Sequence, residues 1–179
     1  VSVEPITASL VTKEAFPKAS MIRWDFAGKL GKPALKAFWY DGGLMPQLPK
    51  DLELGRSLKS TGNLFIGTKG SLLVSGDYGE SPRVIPESRM KQIGKPKELL
   101  PRSPGHYKEW VMACIGEKPA DFARSNFAYA GPMTETILLG NIALRVGRKL
   151  EWDGRKMQFT NIPEANQYIT KEYRSGWKF

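Results

Sequence analysis

The sequence predicts an α+β fold: an open, mostly antiparallel β-sheet with helices packed on one face. Three observations predict it. Apolar residues recur at every second position through the first half of the chain, the period changes to about 3.6 after residue 103, and Gly-rich turns short enough for hairpins separate the strand-like runs. Strands grouped first and helices later favour antiparallel pairing over βαβ crossovers, and they leave one sheet face to be covered by something or to bind something.

Residues 19–28, ASMIRWDFAG, set Ile22, Trp24 and Phe26 on one side by alternation, and residues 34–43, ALKAFWYDGG, give a second strand ending in Asp-Gly-Gly. The turn chemistry of residues 28–33 joins them as a hairpin. Residues 63–76, NLFIGTKGSLLVSG, repeat the pattern, with Leu64 to Ile66 and Leu72 to Val74 on either side of Gly67-Thr68-Lys69-Gly70. Gly76 then opens GDYGESPRVIP, residues 76–86. We read this stretch as a loop between the sheet and the helical part, with no helix obviously following it; Gly76 and Gly79 permit its turns, and Asp77 and Arg83 fix its shape or contact a ligand.

Ser103 followed by Pro104 predicts a helix start, and Gly116 with Pro119 beyond it a stop. His106, Trp110, Ala113 and Cys114 share one face of that helix. A second helix over residues 132–146 spreads its apolar residues, from Met133 to Val146, round much of the circumference, which predicts burial on most sides. Gly140 permits close approach there, and Gly147 caps the end. Residues 149–159 alternate about Asp153-Gly154, a hairpin signal, and Asn161-Ile162-Pro163-Glu164 opens a last helix lined by Ile162, Ala165 and Ile169. Trp24, Trp110 and Trp152 read as core, and Trp177 as a residue covering an interface. With no internal repeat or low-complexity linker, residues 1–179 read as one domain.

Lys and Arg number 27 against 18 Asp and Glu, a net charge of +9, yet the cations are scattered. The densest stretches, residues 89–102 and 145–156, are broken by Pro, Gly or apolar residues, so nucleic acid is not the expected partner. No window approaches the roughly 18 unbroken apolar residues of a membrane helix, and the start VSVEP has no signal-peptide pattern. No membrane partner is expected, and cytoplasm and periplasm both stay open. Because it does not open with Met, the chain reads as processed or as a piece of a longer protein. One cysteine, Cys114, excludes an internal disulfide, and one histidine, His106, cannot supply a clustered zinc site. Cys114 reads as a small buried hydrophobe.

Several chemistries are excluded by motif. No G-x-G-x-x-G string occurs; Gly76-Asp77-Tyr78-Gly79-Glu80 has the wrong spacing, and two acids that would repel a phosphate. Neither a P-loop nor a G-x-S-x-G elbow is present.

FWYDGGLMP (residues 38–46), then GDYGESPRVIPESRM (76–90), then SNFAYAGPMTETILLGNIALRVGRKLEWDGRKMQFTNIPEANQYITKEYRSGW (125–177) carry a resemblance. From about Thr7 to its end the chain resembles the C-terminal domain of a Gfo/Idh/MocA-type oxidoreductase, the glucose-fructose oxidoreductase and inositol dehydrogenase family, in its bacterial subgroup. The resemblance implies a two-domain dehydrogenase whose Rossmann domain, absent here, binds NAD or NADP. The domain in hand then binds a sugar, glycoside or polyol substrate and oligomerises through its open sheet face. It also implies that this chain holds no cofactor of its own and is catalytically incomplete, with the catalytic groups upstream of Val1. Glu117-Lys118-Pro119 matches the family's Glu-Lys-Pro string, but it follows a helix stop rather than a Rossmann strand, so Lys118 is a decoy. His106 has Arg102, not Asp, four residues before it, unlike the family's catalytic histidine.

Among residues that would touch substrate, Trp39, Tyr40 and Asp41 combine rings that stack on a sugar face with a carboxylate that accepts hydroxyl hydrogens. The same three also suit a structural role, the rings capping the core and Asp41 serving the turn. Tyr78, Arg83, Arg102 and His106 divide equally between a site rim and structural pairing. The function expected is therefore the substrate-binding and oligomerisation domain of an NAD(P)-dependent oxidoreductase; the alternatives are a carbohydrate-binding module or, more remotely, a basic nucleic-acid-binding domain.

Overall fold

The computed structural model describes residues 1–177. Along them run β1 (Ser2–Ala8), β2 (Ser20–Phe26), β3 (Leu35–Tyr40), β4 (Gly62–Gly67), β5 (Gly70–Ser75), β6 (Glu80–Ile85), α1 (Glu87–Ile93), α2 (His106–Cys114), α3 (Phe127–Val146), β7 (Leu150–Asp153), β8 (Gln158–Phe159) and a 3-10 helix, Pro163–Tyr168. The fold class is the expected α+β, with antiparallel open sheets and a few helices. Two compact units make up the chain: Val1–Leu44 with the segment from Ser103 onward, and Met45–Arg102.

The first unit holds a five-stranded antiparallel sheet in the order β3-β2-β1-β7-β8. The hairpin of β2 and β3 pairs Ile22 with Trp39 and Trp24 with Ala37, as the alternation predicts. β1 is not among the strands read from the sequence; Pro5 within it is a residue that strands seldom hold. It lies inside the sheet nonetheless, pairing with β2 along most of its length but with β7 only at Ser2 and Val3. Pro5 is beyond that short pairing, where no neighbour needs the N–H that proline lacks.

Helix α3 covers one face of this sheet. Its start lies before the expected Pro132: the Asn126 side chain accepts a hydrogen bond from the Tyr129 N–H, and Pro132 falls inside the helix. Only Leu139, Gly140, Ala143 and Leu144 are buried, whereas Met133, Ile137 and Leu138 are about half exposed. Burial on most sides is thus corrected to one face, because a single sheet covers one side of a helix. The contact is close. A β-carbon on Gly140 would lie 2.5 Å from Trp24 Cζ2, and the Trp24 indole donates to the Thr136 carbonyl at 2.9 Å. Val3, Ile22, Leu150, Trp152 and Phe159 complete the core from the sheet, with Ile162 and Ala165 from the 3-10 segment, which replaces the expected last helix. The Asn161 side chain does not cap that segment; it bridges the Glu151 N–H and the Lys149 carbonyl.

Helix α2 begins at His106 after Gly105, two residues beyond the expected proline start, and its one buried residue is Glu109. Trp110, 65% exposed, is therefore not core, and Cys114 is exposed rather than buried. The physical reason is that Glu109, not the apolar face, anchors the helix. Its carboxylate accepts from the Arg124 N–H at 3.0 Å, and the Ser103 hydrogen bond, then that N–H, hold its carboxyl below the usual range.

The second unit is the antiparallel sheet β4-β5-β6 with α1 after it. Here the supposed loop of residues 76–86 is corrected. Only its first part turns, with Gly76 and Gly79 both at positive φ, while the rest forms β6 and leads directly into α1. The strand was hidden by Pro82 and by a register shift between Leu73 and Ser75 on β5.

Gly140→Ala is expected to destabilise the first unit by about 1–3 kcal/mol, the usual cost of overpacking, read as a lower midpoint in denaturant by tryptophan fluorescence. An unchanged midpoint would show that α3 is free to move away from Trp24.

Candidate functional site

Where β3 ends, alternation separates the three neighbouring candidates. Trp39 lies opposite Ile22 and shares its side of the sheet, the side α3 covers, while Tyr40 lies on the other face, stacked with Phe38 at 6.2 Å between ring centroids. Asp41 joins Trp39. Its Oδ1 accepts the Ser20 N–H, and its Oδ2 accepts both the Ser20 hydroxyl and the Trp39 indole N–H, each at 2.9 Å. Ser20 is buried, so these bonds fix the carboxylate, and through it an indole that is 52% exposed. Gly42 follows at φ +64°, where a β-carbon would meet the Lys18 carbonyl at 2.1 Å. Only glycine lets the chain pass there.

Trp39 and Asp41 wall a half-open cavity of about 230 Å³ whose apolar floor includes Ile22, Trp24 and Leu144. Asn141 of α3 also lines it; the residue is exposed, and among the described residues its side chain makes no hydrogen bond. Beyond Asn141 and Phe16, which line both, lies a larger cavity of about 430 Å³ along α3. Phe16 is held in place by Arg145, whose guanidinium sits 4.2 Å from the ring centroid and donates to the carbonyls of Thr12 and Lys13. A ring wall, a fixed carboxylate and an open amide are the groups that recognise an aliphatic ring bearing hydroxyls.

The opposite sheet face has another character. Arg23 reaches Glu4 at 2.7 Å and Asp25 at 3.0 Å, and the Phe38–Tyr40 stack lies on the neighbouring strand.

Other candidates are not brought to this cavity. Tyr78 is 91% exposed in the second unit. Arg83 is committed there to a two-pronged pair with Glu53, at 2.8 and 3.1 Å, while Glu53 also accepts the Glu87 N–H. The Arg83 hydrogen bond, followed by the backbone N–H groups, lowers the Glu53 pKa to about 2. Arg102 pairs with Glu98 on the surface. His106, exposed at the start of α2, meets the edge of the Tyr107 ring. Lys118 donates its N–H to the Met112 carbonyl past the end of α2, and its ammonium lies over the Phe122 ring. Trp177 is half exposed beneath the Arg174 guanidinium. Sequence reasoning passed over Phe16, Ser20 and Asn141; a lone amide within LLGNIAL was the available signal for the last.

Fold and cavity together define an antiparallel α/β domain that presents an aromatic-walled recess beside a helix. Residues 89–179, just over half of the chain, match the oxidoreductase family, C-terminal alpha/beta domain (GFO_IDH_MocA_C2), and the chain belongs to this Gfo/Idh/MocA family. Comparison with curated proteins gives no match. The family is typically NAD(P)-dependent; among the described residues both sheets are antiparallel throughout, so the parallel βαβ crevice of a dinucleotide fold is not among them. Among the described residues no helix is long and apolar enough to cross a membrane, and no cluster of ligating side chains is placed to hold a metal.

Two predictions follow from these carboxylates. Asp41→Ala leaves the buried Ser20 donors unsatisfied; it should cost about 1–3 kcal/mol and speed hydrogen exchange of the Trp39 indole N–H, which an NMR exchange series measures. Glu53 has its pKa depressed by folding, so the stability it contributes is present above pH 4.5 and is lost as pH falls through about 2. Amide protection factors at β6 and α1, with intrinsic exchange divided out, should therefore fall over that interval in the native chain, and Glu53→Gln should flatten the dependence.

Proposed function

We propose that the chain is the substrate-binding and oligomerisation domain of an NAD(P)-dependent oxidoreductase acting on a sugar, glycoside or polyol, with cofactor and catalytic groups held by a separate domain. One observation carries this reading: an exposed indole, locked by Asp41, beside a half-open recess whose uncommitted side-chain amide belongs to Asn141. Membership of an oxidoreductase family through its C-terminal domain supports it. An aromatic face stacks on the axial C–H surface of a sugar ring while the amide and the spare lone pair of Asp41 Oδ1 take hydroxyls. Tyr78, Arg102 and His106 do not line this recess, and the Arg83 fork is spent on Glu53. The face with Phe38, Tyr40 and the Glu4–Arg23–Asp25 ion pairs is the proposed oligomer contact.

Titration of the chain with monosaccharides and polyols, followed by tryptophan fluorescence and calorimetry, tests the assignment. Saturable sugar binding is expected, lost in Trp39→Ala, with no binding of NAD or NADP. Sugar binding that survives Trp39→Ala would reject this recess, and tight, salt-sensitive DNA binding would reject the reading as a whole.

A further inference from the structure

We infer that the ligand is a glycoside carrying an apolar aglycone, its sugar ring on Trp39 and its aglycone in the larger cavity along α3. The inference rests on the sugar reading above and adds the substrate class. Small-molecule sites usually measure about 300–1,000 Å³. The Trp39 recess, at about 230 Å³, is below that range, and the adjoining cavity, at about 430 Å³, is within it. The recess by itself suits one ring.

The helix joins the two. Ile137, Asn141 and Leu144 line the recess, and Leu138, Ile142 and Arg145 line the cavity, each set spaced i, i+4, i+7 and offset from the other by one residue. They are neighbouring flanks of one helix, and Asn141 and Phe16 belong to both cavities. A substituent leaving a ring stacked on Trp39 therefore passes Asn141 and enters the second compartment.

That compartment is lined mainly by apolar side chains. Its two charged groups spend part of their capacity within the chain: Glu135 Oε1 accepts the Trp152 indole N–H at 2.6 Å, and Arg145 Nη1 donates to loop carbonyls. Leu138, Met157 and Tyr168 are each about half exposed there, so an apolar group that covered them would remove apolar surface from water. A second sugar ring would match the polar groups at the edge of this compartment but not the apolar surface that makes up most of its lining.

Calorimetric titration of the chain with matched methyl and phenyl glycopyranosides of glucose, galactose, mannose and xylose tests this. For the sugar that binds, the phenyl glycoside should bind about tenfold or more tightly than the methyl glycoside. Leu138→Asn and Tyr168→Ala should each erase much of that advantage and leave methyl glycoside affinity unchanged, which also shows that the variants are folded. Equal affinities for the matched pair would overturn the inference and leave the sugar reading standing. Failure of every glycoside to bind, or phenol binding equally well without a sugar, would overturn both.

Discussion

The approach of α3 to Trp24 sets the distances on which the first unit depends. Gly140 brings helix backbone onto the indole edge, and the Trp24 N–H to the Thr136 carbonyl fixes the helix along its own axis. The core side chains of β1, β2 and β7 then fill the space that this spacing leaves. Both cavities are consequences of it, since α3 forms a wall of each. A larger residue at 140 would widen the Trp39 recess and the core beneath it together.

Carboxylates do the fine positioning in each unit, and they act in the same way. Asp41 gathers a backbone N–H and a hydroxyl from Ser20, distant in sequence, together with its neighbouring indole. Glu53 gathers the Arg83 guanidinium and the Glu87 N–H, and Glu109 takes the Arg124 N–H. In each case an acceptor with several lone pairs ties a loop or strand end to another segment, a task that apolar contacts perform without directional control. Among the described residues no buried side-chain polar atom lacks a partner.

What could be read from the sequence followed from what periodicity encodes. The β2–β3 and β4–β5 hairpins were legible because alternating or short apolar runs flank turn residues, and Gly140 and Gly147 because a helix has few reasons to hold them. Pro5 and Pro82 hid two strands, since proline marks a strand break unless its missing N–H faces no partner. Helical spacing placed Trp110 and Cys114 on one face but carried no information about whether anything covers it. The cavity was only half legible. Trp39 and Asp41 stood out as residue types, whereas Phe16 reaches them from a loop by way of Arg145, a pairing across more than a hundred residues.

Placing Trp39 and Tyr40 on opposite faces gives β3 a rule of inheritance. Each position serves its own face, Trp39 through the Asp41 bond and the recess and Tyr40 through the stack with Phe38. The insertion or deletion of a single residue anywhere between Leu35 and Tyr40 would exchange the two faces at once, carrying the recess wall outward and the stacked pair inward. Gly42, pressed against the Lys18 carbonyl, and the Ser20–Asp41 bonds act as a peg at the strand's end that holds the count. A substitution in this strand disturbs one face, whereas a change of length disturbs both.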